Sequence, residues 1–142
     1  RLAQEIGESI YLSVRHGDSA QYIDAALGGA ASQRLNWEGR EFPLQTTAAG
    51  LALLGTIPEY GFIMVDSSLE DDMTAIAAPV LLGGFPVAAL SAVVLSEHLN
   101  NHTRQLWGSQ IAREAQQLSA DPAAAPSRRA PRSIETVRRR TA

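Results

Sequence analysis

The chain has no cysteine among its 142 residues, and all twelve of its basic residues are arginine. Without cysteine there is no disulfide framework, no thiolate metal site and no cysteine nucleophile, which fits a cytoplasmic protein. The arginine bias carries no functional argument. Long apolar runs are missing too. No stretch reaches the ~18 residues of a membrane span, and the most apolar one, Ala75 to Leu95, is interrupted by Gly83-Gly84 and Pro86. The first residues have none of the features of a secretory leader. Arg1 is not an initiator methionine and opens inside what reads as a helix end, so residues upstream of it are expected. No G-x-S-x-G, P-loop, G-x-G-x-x-G or paired catalytic carboxylates occur, so neither enzyme activity nor a cofactor is expected.

What is present amounts to one domain with a 45% apolar composition, enough to bury a core. Its charge is uneven. Residues 1–120 hold six arginines against thirteen acids, net −7, whereas residues 121–142 hold six arginines against two acids, net +4. The acidic body is not suited to bind nucleic acid through its own surface. The last segment is rich in Ala, Pro, Ser and Arg, has no apolar period, and reads as a flexible tail beyond a domain ending near residue 120. Its clusters Arg128-Arg129, Arg132 and Arg138-Arg139-Arg140 could touch phosphates non-specifically, but no aromatic accompanies them for stacking on bases, and a solvated tail is the plainer reading.

Along the body, Leu2–Ile6 reads as a helix end closed by Gly7. Ser9–Arg15 alternates as a strand with Ile10, Leu12 and Val14 on one face. A turn at His16-Gly17-Asp18-Ser19 leads to a returning strand, Gln21–Ala26, and Ser32–Trp37 reads as a third strand. Thr46–Leu54 is a helix with Thr46 or Thr47 as N-cap and Gly55 as its stop. Tyr60–Val65 is a strand, Ser67–Asp72 an acidic loop, and Met73–Leu81 with Phe85–Val94 a hairpin. A last helix spans about Thr103–Ser119, capped by Asn101 or Thr103, with Trp107, Ile111, Ala115 and Leu118 at helical spacing. The class is α+β, an antiparallel sheet with helices against it.

Two segments suggest a binding site. After Pro43 comes a helix start made of the small residues Thr46, Thr47, Ala48 and Ala49, where a ligand could approach free backbone N–H groups and an anion would be favoured. The hairpin offers small side chains at alternate positions, Ala75, Ala77, Ala89 and Ser91, leaving volume on one face. Each segment alone is better explained by ordinary packing; together they favour a pocket more, because each leaves room where the other could face it. Asp66 closes an apolar strand beside this space and could accept a hydrogen bond, or it could cap its own loop. No metal is expected. Glu70-Asp71-Asp72 reads as a solvated loop. His98 and His102 have the i, i+4 spacing of a metal pair, but the helix starts between them and no third ligand is visible. His16 shows no partner.

These pieces, in this order, resemble the C-terminal effector-binding domain of IclR-type bacterial transcriptional regulators. The resemblance rests on Leu2–Gly7 with Ile10–Val14, on Gly39-Arg40-x-x-Pro43-Leu44 leading to Thr47-Ala48 and Gly50-x-Ala52-Leu53-Leu54, on Ala75-Ile76-Ala77-Ala78-Pro79-Val80, and on Val87-Ala88-Ala89-Leu90-Ser91. It spans roughly residues 2–118. It implies a GAF-like sheet, a small-molecule effector that is often a carboxylic or aromatic acid, homodimers or tetramers, and DNA binding only through a winged helix-turn-helix domain upstream of this chain. By position it implies effector contacts from Phe42, Leu44, Thr47, Ala48, Ala49, Asp66, Ala75 and Ser91. Three departures make the implied pocket less polar and suit a larger, more apolar ligand. Gln45 stands where a histidine is common, Ala75 where a cysteine is frequent, and Val93 in place of a second serine. A fourth concerns length: only Gly55–Glu59 join the helix to the next strand, where the family usually has some thirty or more residues, so one side of the pocket would lack its cover. Two further readings follow from this, an oligomerisation module with a degenerate pocket and, less favoured, a small enzyme on the same scaffold.

Overall fold

The computed structural model describes residues 9–26, 38–66 and 71–120. The expected helix end at Leu2–Ile6, the third strand at Ser32–Trp37, residues 67–70 of the acidic loop and the tail 121–142 lie outside them. Six antiparallel strands form one sheet in the order β3-β2-β1-β6-β5-β4. These are β1 Ser9–His16, β2 Ser19–Ala26, β3 Glu41–Pro43, β4 Ile63–Asp66, β5 Met73–Leu82 and β6 Phe85–Leu95. Helix α1, Ala48–Leu53, lies on one face of the sheet and α2, Asn101–Ala120, on the other.

The period of two sorts the core into two layers. Against α2 stand Ile10, Leu12, Ile76, Ala78, Val80, Leu90, Ala92 and Val94, which pack with Ile111, Ala115 and Leu118. Against α1 stand Tyr11, Tyr22, Ala75, Ala77, Ala89 and Val93, which pack with Ala48, Ala49 and Ala52. The central strands are therefore buried on both faces. Bulges at Leu12/Ser13 and Val80/Leu81 shift the register locally and curl the sheet.

The cap of helix α2 lies one residue before Asn101. Asn100 Oδ1 accepts from Thr103 N at 2.9 Å and Thr103 Oγ1 accepts from Asn100 N at 2.8 Å. This reciprocal pair satisfies two end groups at once, so Asn100 is the cap and Thr103 its partner. Gly108, in mid-helix, leaves room for the Phe62 ring; a Cβ there would lie 2.7 Å from Phe62 Cδ2.

A polar chain closes the far end of β5. Ser96 hydrogen-bonds Thr74 at 2.7 Å, Thr74 donates to Asp66 at 2.7 Å, and Arg104 approaches the same carboxylate at 3.2 Å. The Thr74 hydrogen bond first, and Arg104 second, hold the Asp66 carboxyl below its ordinary value. A depressed carboxyl stabilises the fold above its unfolded pKa, and that contribution is lost as pH falls through the lower folded value. Because Asp66 and Arg104 are both well exposed, Arg104→Gln should cost at most about 1 kcal/mol at neutral pH. Urea midpoints of the two proteins should converge once the carboxyl is protonated; a constant gap across the acid range would mean that Arg104 acts through packing on Met64 instead.

Candidate effector site

Thr47 fixes the start of α1. Its Oγ1 accepts from Gly50 N at 3.1 Å and donates to the Pro43 carbonyl at 2.6 Å. One hydroxyl thus caps the helix and ties it to the end of β3. At six residues, α1 has under two turns, so its dipole is slight, and Thr47 already takes one of its first N–H groups.

Most of the residues singled out in the sequence converge here. Leu44, Thr47, Ala48, Ala49, Ala75 and Ser91 are all buried in the layer under α1. Phe42 is half-buried against Tyr22, with ring centroids 5.3 Å apart, and Arg40 covers it at 5.2 Å. Asp66 does not join them. Its carboxylate turns to Thr74 and Arg104 on the α2 side, because the strand's alternation puts it on the other face from Val65. His16 does have a partner, Glu41 at 2.9 Å. His98 falls in a 3-10 turn and His102 in α2, so they do not share a helical face. Among the described residues no group of His, Asp and Glu is arranged to hold a metal ion.

Two residues that the sequence reading left out of the site lie at its centre. Tyr11 and Tyr22 are fully buried and tilt together at 4.9 Å. Tyr11 pairs with Ser91 across β1 and β6, and Ala77 pairs with Ser91 from the other side. The hydroxyls of Tyr22 and Ser91 are buried near each other, but neither meets hydrogen-bond geometry with the other or with any other described group. Burial pushes the Tyr22 phenol up, and the neighbouring Ser91 hydroxyl offsets this only in part. An unsatisfied buried hydroxyl costs about 1–3 kcal/mol. Two in one alanine-floored layer are an unfilled demand for a polar partner. A hollow of about 320 Å³ lies elsewhere, at the β5–β6 turn.

Residues 1–60 match the sequence pattern described as bacterial transcriptional regulator IclR C-terminal. The fold agrees over a longer span. The C-terminal domain of the E. coli transcriptional regulator KdgR superposes with a TM-score of 0.71 at 21% identity, covering 84% of this chain and 90% of that one. Its first 60 residues are thus similar to an IclR-type C-terminal domain, and the chain shares that domain's fold. Two longer structures share the IclR-type fold. The Agrobacterium tumefaciens repressor BlcR gives a TM-score of 0.70 at 16% identity over 81% of this chain and 59% of its own. An IclR homologue from Microbacterium hydrocarbonoxydans, complexed with 4-hydroxybenzoate, gives 0.66 at 21% identity over 81% and 60%. The present chain thus spans about three-fifths of those two proteins. The sequence match stops at residue 60, just past the short connector, while the structural likeness continues. Among curated protein sequences none matches the chain. No helix of the described residues is long and apolar enough to cross a membrane.

Proposed function

We propose that this domain is the effector-sensing and oligomerising part of a cytoplasmic DNA-binding regulator, with residues 1–120 as the module, 121–142 as a tail, and a winged helix-turn-helix upstream. The observation that carries this reading is the pair of buried, partnerless hydroxyls of Tyr22 and Ser91 beside Thr47–Ala49. A ligand with a hydroxyl, carbonyl or carboxylate would satisfy them, and its apolar body would lie against Leu44, Phe42 and the alanine floor. The complex of the Microbacterium homologue makes small aromatic acids the first class to try. A ligand that prefers one arrangement of the oligomer would bias the attached DNA-binding domains.

The test is a thermal-shift panel of small carboxylic and aromatic acids, including 4-hydroxybenzoate, on the full chain. A binder at a hundredfold excess over its Kd should add about 2.7 kcal/mol, and Ser91→Trp should abolish the shift. No shift across the panel would favour the second reading, a module that oligomerises without sensing. One observation supports that alternative: the two tyrosine rings already fill the layer under α1, and the open hollow lies away from it.

A further inference from the structure

Among the described residues three hydroxyls, those of Ser9, Tyr22 and Ser91, are buried without a hydrogen bond. The last two belong to the site already described, and Ser9 extends it. Ser9 pairs with Val93 across β1 and β6, just as Tyr11 pairs with Ser91 two residues along. The strand period therefore turns Ser9 to the same α1 face as Tyr11 and Ser91. At about 3.4 Å per residue and about 4.8 Å between strands, its Cα lies about 8 Å from that of Ser91. The floor between the two serines is Val93, flanked by Ala75 and Ala77 on β5. Polar demand thus stands at both ends of one apolar strip.

The strip carries no charge. Among the described residues the one buried acid or base of formal charge is Glu114, on α2 and the opposite face of the sheet. Arg40 is exposed and sits over the Phe42 ring at 5.2 Å, so its guanidinium meets solvent and not the serines. Helix α1 adds little for an anion, being six residues long with the Gly50 N–H already on Thr47. A carboxylate brought into such a layer gives up its water and gains no counter-charge. A hydroxyl, amide or aldehyde instead exchanges its hydrogen bonds with water for equivalent ones. Serine and tyrosine hydroxyls both donate and accept, so they match neutral groups of either kind.

We propose that the ligand of this site is uncharged and two-ended, an apolar body of about one ring with a hydroxyl or carbonyl group at each end. One end bonds to Ser9 and the other to Tyr22 and Ser91. Ser9 is then a specificity-determining residue, because a ligand without the second polar end leaves its hydroxyl unpaired. The inference rests on the sensing half of the proposed function and narrows its ligand from acids to their neutral counterparts.

Calorimetric titration of the full chain with 4-hydroxybenzamide, 4-hydroxybenzoate and benzamide separates the two features. 4-Hydroxybenzamide should bind about tenfold more tightly than 4-hydroxybenzoate, its charged counterpart. It should also bind about tenfold more tightly than benzamide, which lacks the second polar end. Ser9→Ala should abolish the advantage over benzamide and keep the advantage over 4-hydroxybenzoate. The same variant should raise the urea midpoint of the ligand-free protein, because the hydroxyl it deletes is buried without a partner. A lower midpoint would mean that Ser9 is already satisfied, and would overturn its role. 4-Hydroxybenzoate bound as tightly as the amide, or benzamide bound as tightly as 4-hydroxybenzamide, would overturn this inference and leave the sensing reading standing. Binding by none of the three at millimolar concentration would overturn the sensing reading and this inference with it.

Discussion

Gly50→Ala is expected to destabilise the domain by about 3 kcal/mol, although alanine is the better helix former. A Cβ at Gly50 would fall on the Leu44 carbonyl group and lie 2.6 Å from its carbon. The obstacle is main chain, and that main chain has nowhere to go. Leu44 is fully buried, its N–H donates to the Asp18 carbonyl at 3.3 Å, and Pro43 just before it is held by Thr47 at 2.6 Å. Relief would require moving α1 off the sheet, opening a gap over Ala75 and Ala77. Overpacking of this kind typically costs 1–3 kcal/mol, and backbone contact places it at the top of that range even after the ~1 kcal/mol that alanine gains in a helix. Gly108→Ala is the control. Its Cβ also meets an obstacle, but that obstacle is the Phe62 side chain, which can rotate, so the loss should be clearly smaller. Equal urea midpoints for the two variants would show that α1 moves freely relative to β3, and would remove the argument that Leu44 and Thr47 hold the site in place.

That contact also shows what the sequence made legible. The small residues at 46–49 read as space for a ligand to approach, and at the next residue, Gly50, a close approach occurs, but the neighbour is the chain's own backbone. The hairpin, the two strands before it and both helices follow from apolar periods and turn residues, which act locally. The cap at Asn100 was harder to see because Asn100, Asn101 and Thr103 are all able caps, and only the geometry of the preceding turn selects one. Strand β3 is three residues long, too short for any period to register. Tyr11 was missed because a strand with Ile10, Leu12 and Val14 on one face looks half-buried, whereas β1 lies between β2 and β6 with helices on both sides of the sheet. Asp66 was misplaced because the residue's face depends on where β4 begins, and the alternation reverses with a shift of a single residue.

Tyr22 should give the largest loss and, with a smaller change, a gain. Tyr22→Ala removes a fully buried ring that packs on Tyr11 at 4.9 Å and Phe42 at 5.3 Å; large-to-small changes of this kind cost about 4 kcal/mol. Tyr22→Phe keeps both ring contacts and deletes only the hydroxyl. Because that hydroxyl is buried with no hydrogen-bond partner, its removal should raise the stability of the ligand-free domain by about 1 kcal/mol. The sign is opposite to that for a satisfied tyrosine, which makes it a sharp test by chemical denaturation. The same variant separates the two functional readings. If an effector completes the Tyr22–Ser91 pair, Tyr22→Phe should be more stable alone yet bind at least tenfold more weakly, a loss of about 1.4 kcal/mol of binding. If the layer under α1 is only a core, the variant should gain stability and change nothing else. A loss of stability in the ligand-free Tyr22→Phe protein would mean the hydroxyl is already satisfied, and the polar demand on which the sensing proposal stands would be gone.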